Sequence, residues 1–365
     1  MKKTIIAASL TALAMGPGFV GASEHAVEGQ PITVDGKGDL SPNSEMKLIG
    51  GWHYDKNTEK NDLDHSASNT NITLTGGTFD ELIGGNHIKQ PTAGDYDLKI
   101  GNTHVTLSGE GSVTYFIGGS KANNSDNTNL TTGDVTAVIS GGTVTGSAMS
   151  WGNKDKISVV GGSYVKSTGA GGGTPASTTA ETGNISLSIS GGTFTGAVFG
   201  GSVADNYGEK QAESDSTKPD LSIKTGVSSL LIEGGTFQSS DPENPKNYDF
   251  GVFGGSAALG QKSSTESSGS SVTIEAKKVI DIKGRVVGGD LLGFGGSDEN
   301  AASSKINGST SVSITGSEKI ETSESVIGGS LLHLKLDGES SSSSISGTSS
   351  VFVDAENAKI GRAHV

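Results

Sequence analysis

The chain contains no cysteine. That excludes a disulfide framework, a thiolate metal site, a cysteine nucleophile and a lipid-modified cysteine behind a leader. Aromatic residues make up only 5% and hydrophobic residues 32% of the 365 positions, too little apolar material for one large compact core. Basic residues are also scarce: 26 Lys and Arg stand against 40 Asp and Glu, a formal charge of −14. This balance speaks against nucleic acid or anionic lipid as a partner, because both reward Lys and Arg. Beyond the N-terminus no run approaches 18 consecutive apolar residues, so no membrane helix is expected there.

What the chain has instead is glycine, 57 positions, about twice the usual share of roughly 7%. Val, Ile, Leu and Phe are gathered into short alternating runs between the glycines, which sets the sequence apart from a disordered chain. A phrase ending in Gly-Gly recurs eight times: KLIGGW (47–52), ELIGGN (81–86), YFIGGS (115–120), SVVGGS (158–163), AVFGGS (197–202), GVFGGS (251–256), RVVGGD (285–290) and SVIGGS (325–330). Its first glycines are 34, 34, 43, 39, 54, 34 and 40 residues apart. An imperfect period with variable insertions is the mark of a stacked-repeat fold.

Upstream of each copy lies an alternating segment, among them ITVDG (32–36), NITLTGGTF (71–79), ISLSISGGTF (185–194) and SLLIEGGTF (229–237). In the third of these, Ile185, Leu187 and Ile189 point one way and Ser186, Ser188 and Ser190 the other, as a strand with one buried face requires. The Gly-Gly that follows ends the strand by allowing backbone conformations that Cβ-bearing residues avoid. Such a unit cannot bury its own apolar face, but stacked copies can, with like residues in ladders. Phe79, Phe194 and Phe237 are expected in one ladder; Ile49, Ile83, Ile117, Val160, Phe199, Phe253, Val287 and Ile327 in another. The expected fold is an all-β, right-handed parallel β-helix (β-solenoid) of about eight imperfect repeats with long outer loops. The pattern leaves open whether a repeat makes one wide coil or two small ones. Residues 120–134, 166–184, 203–220, 239–249 and 336–350, rich in Ser, Thr, Gly, Asn and Asp, read as solvated loops, and Trp52 and Tyr54 as cover for the first coil.

Lys2 and Lys3, the apolar stretch 4–15 and the small residues Val20-Gly21-Ala22 read as a signal peptide over 1–22, cleaved after Ala22. Residues 23–31 form an N-terminal segment, and the solenoid spans 32–359.

No motif supplies chemistry. Calcium-binding nonapeptide coils need Gly-Gly-x-Gly-x-Asp-x-apolar-x, and GGDLLGFGGSDEN (288–300), with Asp290 and Asp298, only approaches it. The densest polar set, Asp55, Asp62, Asp64 and His65, lacks strand spacing. His25, His53, His65, His87, His104, His333 and His364 share no metal-ligand spacing. Nucleophile elbows and phosphate loops are absent. Thr73-Leu74-Thr75 has the alternation of a flat ice-binding solenoid but does not recur in every unit. No catalytic, cofactor-binding or metal-binding residue is therefore expected, and no cofactor.

The leader, the missing cysteine, the acidic balance and the repeated Gly-Gly-Thr-Phe and Val-Phe-Gly-Gly-Ser phrases together resemble the passenger region of a bacterial autotransporter, a type V secretion protein, over residues 32–359. The chlamydial polymorphic outer-membrane relatives are less similar, since their Phe-x-x-Asn motif is missing. The resemblance implies export through the inner membrane, residence at the cell surface, in the outer membrane or outside the cell, an adhesive or structural role without catalysis, an unidentified surface ligand, and a C-terminal outer-membrane β-barrel as partner. No barrel-like strands of about ten residues occur. SSVFVDAENAKI (349–360) opens a ninth unit that breaks off at IGRAHV, the translation of a widely used sequencing adapter in one frame. Residues 360–365 are accordingly read as a non-native tail, with the barrel expected beyond the break. The alternatives are a β-helical polysaccharide-active enzyme, which needs three or more carboxylates and a base converging in one cleft, and a freely secreted solenoid without an anchor.

Overall fold

The computed structural model describes residues 5–6, 32–34, 47–51, 53–54, 69–89, 96–123, 128–148, 156–167, 177–206, 220–239, 251–293, 301–333 and 341–364. The fold is a parallel β-solenoid in which each repeat makes one wide coil. Coils 1 to 8 are named here by their Gly-Gly pairs, which begin at residues 50, 84, 118, 161, 200, 254, 288 and 328. At the usual spacing of about 4.8 Å between strands, eight coils rise on the order of 40 Å.

Three sheets run the length of the stack. The base sheet carries two strands per layer, such as Tyr96–Ile100 and Thr103–Leu107, or Thr178–Thr182 and Ile185–Ile189. The ladder sheet carries the residues that lead into Gly-Gly, for example Ser112–Ile117 and Ala197–Phe199. A short sheet of three-residue strands follows each pair from coil 2 onward, including Lys121–Asn123, Tyr164–Lys166 and Ala257–Leu259.

Both expected ladders form in the ladder sheet. Phe79 pairs through Val113 and Val144 to Phe194 and Phe237, and the last two rings stack at 4.8 Å between centroids. The eight residues from Ile49 to Ile327 align coil by coil without a break, with Phe199 and Phe253 stacked at 4.9 Å. Each fully buried side chain of this size contributes about 1.5–3 kcal/mol. Ile185, Leu187 and Ile189 are buried while Ser186 and Ser190 are more open, as their alternation requires.

The cross-section holds two cores side by side. One core packs the second base strands against the ladder sheet, with Leu107, Ile139, Phe194 and Ile274 among its residues. A second, smaller core packs the first base strands against the short sheet, with Ile88, Leu98, Leu130 and Ile223. Between them the Gly-Gly corner is pressed onto the base sheet and forms a waist. A Cβ on Gly118 would lie 2.7 Å from Val135 Cγ1 and would also collide with the carbonyl oxygen of Gly161 in the next coil. The two glycine pairs thus answer different demands. In the Gly-Gly-Thr-Phe phrase, Gly192 has φ +108° and is needed for conformation; at the waist the requirement is space.

The waist is held by hydrogen bonds that repeat in every layer. The second glycine donates to its counterpart one coil on, from Gly51 to Gly85 at 2.9 Å and onward to Gly289 to Gly329 at 3.0 Å. The next residue makes a polar ladder of its own: Asn86 N–H donates to Ser120 Oγ, Ser120 N–H to Ser163 Oγ, Ser163 N–H to Ser202 Oγ and Ser202 N–H to Ser256 Oγ, all at 3.1–3.2 Å. On the opposite side, where the base sheet bends, Asp134 N–H donates to Asn102 Oδ1 at 2.9 Å and Asn184 N–H to Asp134 Oδ1 at 2.7 Å.

Several segments expected to be loops contain strands. Thr128–Thr132 lies within 120–134, Thr178–Thr182 within 166–184 and Ser341–Ile345 within 336–350. In the first two the inward residues are two threonines around one apolar residue, Leu130 or Ala180, and the last threonine hydrogen bonds across the waist, as in Ser120 Oγ to Thr132 Oγ1 and Ser163 Oγ to Thr182 Oγ1, both 2.8 Å. Residues 360–364 form part of the strand Ala358–His364, which pairs with Ile320–Ile327, and Ile5–Ile6 pair with Leu48–Ile49.

Candidate functional site: the charged flank between the ladder and short sheets

At each waist the chain turns so that the ladder sheet and the short sheet meet at an angle, and their outer faces share a third cluster of buried side chains. Positions three residues before Gly-Gly and two after it both point into this flank. In coils 1 to 3 the earlier position holds Lys47, Glu81 and Tyr115, which are in register. In coils 1 to 4 the later position holds His53, His87, Lys121 and Tyr164.

Glu81 is the centre of the charge. Lys47 Nζ and Lys121 Nζ each lie 2.9 Å from Glu81 Oε1. Burial alone would raise this carboxyl, but the two ammonium groups bring it below its ordinary value. Lys121 is 3% exposed, and burial lowers it to about 8 although Glu81 acts to raise it. Its Nζ also lies 4.7 Å from the Tyr115 ring centroid and 5.5 Å from that of Tyr164, within reach of a cation–π attraction. Tyr164 Oη donates to Asp205 Oδ2 at 3.0 Å. Burial first, and the Asp205 carboxylate next, push the Tyr164 phenol well above its usual value. Lys166 Nζ is 4.0 Å from the same Asp205 oxygen.

Toward coil 1 the Nδ1 atoms of His53 and His87 face each other at 3.0 Å, one donating to the other. Burial, with Lys121 and Lys47 adding to it, holds His87 well below the ordinary histidine value, so its ring is neutral. Glu81 Oε2 and His87 Nε2 are buried without a hydrogen-bond partner. An orphaned polar atom of this kind costs about 1–3 kcal/mol.

The flank joins two carboxylates, Glu81 and Asp205, to lysines and tyrosines. They sit in coils 2 and 5, about 14 Å apart along the stack, whereas a glycosidase pair is separated by roughly 5–9.5 Å. The arrangement is a chain of neutralised charges rather than a catalytic pair. Among the described residues no group of three or more His, Cys, Asp and Glu side chains is placed to hold a metal ion.

The residues weighed from sequence fall elsewhere. Asp290 is fully buried on the inner side of the waist, where it takes the place of a serine in the polar ladder. It accepts from Ser256 N–H at 2.7 Å, Thr265 Oγ1 at 3.0 Å and Ser304 Oγ at 2.5 Å. Burial raises its carboxyl despite these three donors. Asp298, Asp55, Asp62, Asp64, His65, His25 and Trp52 lie outside the described residues. His104 stands on the base sheet, 3.4 Å from Thr106 Oγ1, His333 falls in the strand Leu331–His333, and His364 is exposed.

Sequence reading missed Glu81, Lys121, Tyr164 and Asp205. The available signal was their fixed offset from Gly-Gly, three residues before or two to four after, because the waist turns those positions toward one another. Comparison with protein-family models, with characterised proteins and with solved structures finds no match for this chain.

Proposed function

We propose that the chain is a bacterial autotransporter passenger, exported and displayed at the cell surface or released from it, with a structural and adhesive role. The observation that carries this reading is the register. The same backbone position recurs in every coil, so the outside of the base sheet presents long rows of hydroxyls, as in Thr136, Ser186, Ser229, Ser271, Ser311 and Ser350. Buried ionisable groups, by contrast, are satisfied mainly by one another. A rod with a long polar face suits display, and among the described residues the two carboxylates of the flank stand too far apart for a glycosidase pair.

The first test is the reading frame downstream of codon 359. Segments of about ten alternating residues with aromatic girdles are expected there; further coils ending in a stop would leave a freely secreted solenoid. The second test is functional. Purified chain is expected to bind immobilised host glycans or matrix proteins without changing them, and release of reducing or unsaturated ends from a polysaccharide would replace this reading with the enzymatic one.

A further inference from the structure

One row on the outside of the base sheet carries charge of alternating sign. Glu181, Lys224, Glu266 and Lys305 are register partners in four successive layers. Their side chains are 61%, 61%, 39% and 58% exposed. Lys224 Nζ lies 3.7 Å from Glu181 Oε1 and Lys305 Nζ 3.3 Å from Glu266 Oε1, with Asn307 donating to Glu266 at 2.9 Å. These four charges sum to zero, so a uniformly charged polymer gains nothing from them; Lys99 lies in the same row, beyond the intervening Thr131.

Read in reverse, the signs −, +, −, + become +, −, +, −. A two-fold axis running along the strands, between the layers of Lys224 and Glu266, therefore sets every charge opposite its counterion: Lys224 on Glu266 of the other molecule, Glu181 on Lys305, and the reverse of each. The neighbouring row contains Ser222 and Ser264 at the centre, small side chains that let two such faces approach. The charges repeat at the coil rise of about 4.8 Å, a period that another parallel stack of strands shares.

We propose that this face is an interaction surface for a second copy of the chain, docked with its solenoid axis antiparallel. The contact is isologous and closes as a dimer. Electrostatics set its register more than its strength, since exposed pairs contribute little individually while like charges brought face to face are costly.

Sedimentation equilibrium of the full chain at low and high salt tests it. A reversible dimer is expected at low salt, weakened at least about tenfold by high salt. Glu266→Lys, which places lysine opposite Lys224 twice, is expected to weaken it by at least about as much. The quadruple reversal E181K/K224E/E266K/K305E restores the alternation and is expected to dimerise as the original chain does. The reversed and original chains, labelled with different fluorophores, should not form mixed dimers. Circular dichroism verifies that each variant is folded. A monomer at every concentration in low salt, a dimer indifferent to Glu266→Lys, or free mixing of original and reversed chains would each overturn the proposal.

Discussion

The flank of coils 1 to 5 and the flank of coils 5 to 8 are built on the same backbone positions but filled differently, the first mainly with charged and aromatic side chains and the second mainly with small and aliphatic ones. Where the early coils place Lys47, Glu81, Tyr115, His87, Lys121 and Tyr164, the later ones place mostly small or apolar residues, Ala197, Gly251, Val203, Ala257 and Leu291, with Arg285 as the charged exception in coil 7. Both sets are buried except for partial exposure of Lys47 and Arg285. The waist is the same in both regions, as the unbroken glycine hydrogen bonds show. Register therefore fixes where a side chain points but not what it is, provided that its neighbours one coil away compensate it. Glu81 is tolerated because Lys47 and Lys121 stand directly before and after it; in the later coils the same rule holds for Arg285, whose Nη2 lies 3.0 Å from Glu324 Oε2.

The comparison can be broken most severely at the shared element. Gly118→Ala and Gly254→Ala, one in each region, both force a Cβ into the backbone of the neighbouring coil. Each is expected to cost more than about 4 kcal/mol, measured by denaturant unfolding followed by circular dichroism. A large loss in one region alone would show that the waist is not equivalent in the two.

Next in size is Glu81→Leu, which leaves the buried Lys121 and the partly buried Lys47 without this counterion. A loss of about 3–5 kcal/mol is expected. The triple change K47M/E81L/K121M gives the early flank the character of the late one, and should return stability to within about 1 kcal/mol of the original. If the triple variant stays as unstable as the single one, the charged cluster does more than fill space.

A pH series sharpens the contrast. In the folded chain Lys121 titrates at about 8, below its ordinary 10.5, so between those values the unfolded chain holds more protons. Stability from this group then rises with pH across that window, and Lys121→Met should remove the rise. Asp290 acts in the other direction. Its raised carboxyl favours the folded state at acid pH, and that contribution is lost as the pH climbs through the raised value. Asp290→Asn should thus stabilise the chain near neutrality, with a gain that fades as the solution is acidified. The smallest effect is expected at the exposed row: Lys224→Ser should change the stability of a single chain by less than about 0.5 kcal/mol.

Much of this architecture is legible in the sequence. The apolar ladder from Ile49 to Ile327 follows directly from alignment on Gly-Gly, because stacking in register converts repeat position into spatial neighbourhood. The strands Thr128–Thr132 and Thr178–Thr182 are hidden from a hydrophobic pattern because each inward face holds a single apolar residue, Leu130 or Ala180, between threonines, of which Thr132 and Thr182 hydrogen bond to the serine ladder. Lys121 is equally opaque. Nothing in Gly-Gly-Ser-Lys announces a buried lysine, since its burial depends on an angle between two sheets and its charge is balanced by a glutamate 40 positions away. The offset common to Lys121 and Tyr164 is visible only once the waist is known.

The waist also bears on mechanics. Two packed tubes joined along a seam of glycines have a cross-section longer in one direction than in the other, like a pair of pipes welded side by side. Such a beam resists bending in the plane that contains both tubes and yields more readily across it. A solenoid of this shape would flex in one preferred direction when pulled, carrying its long hydroxyl face with it.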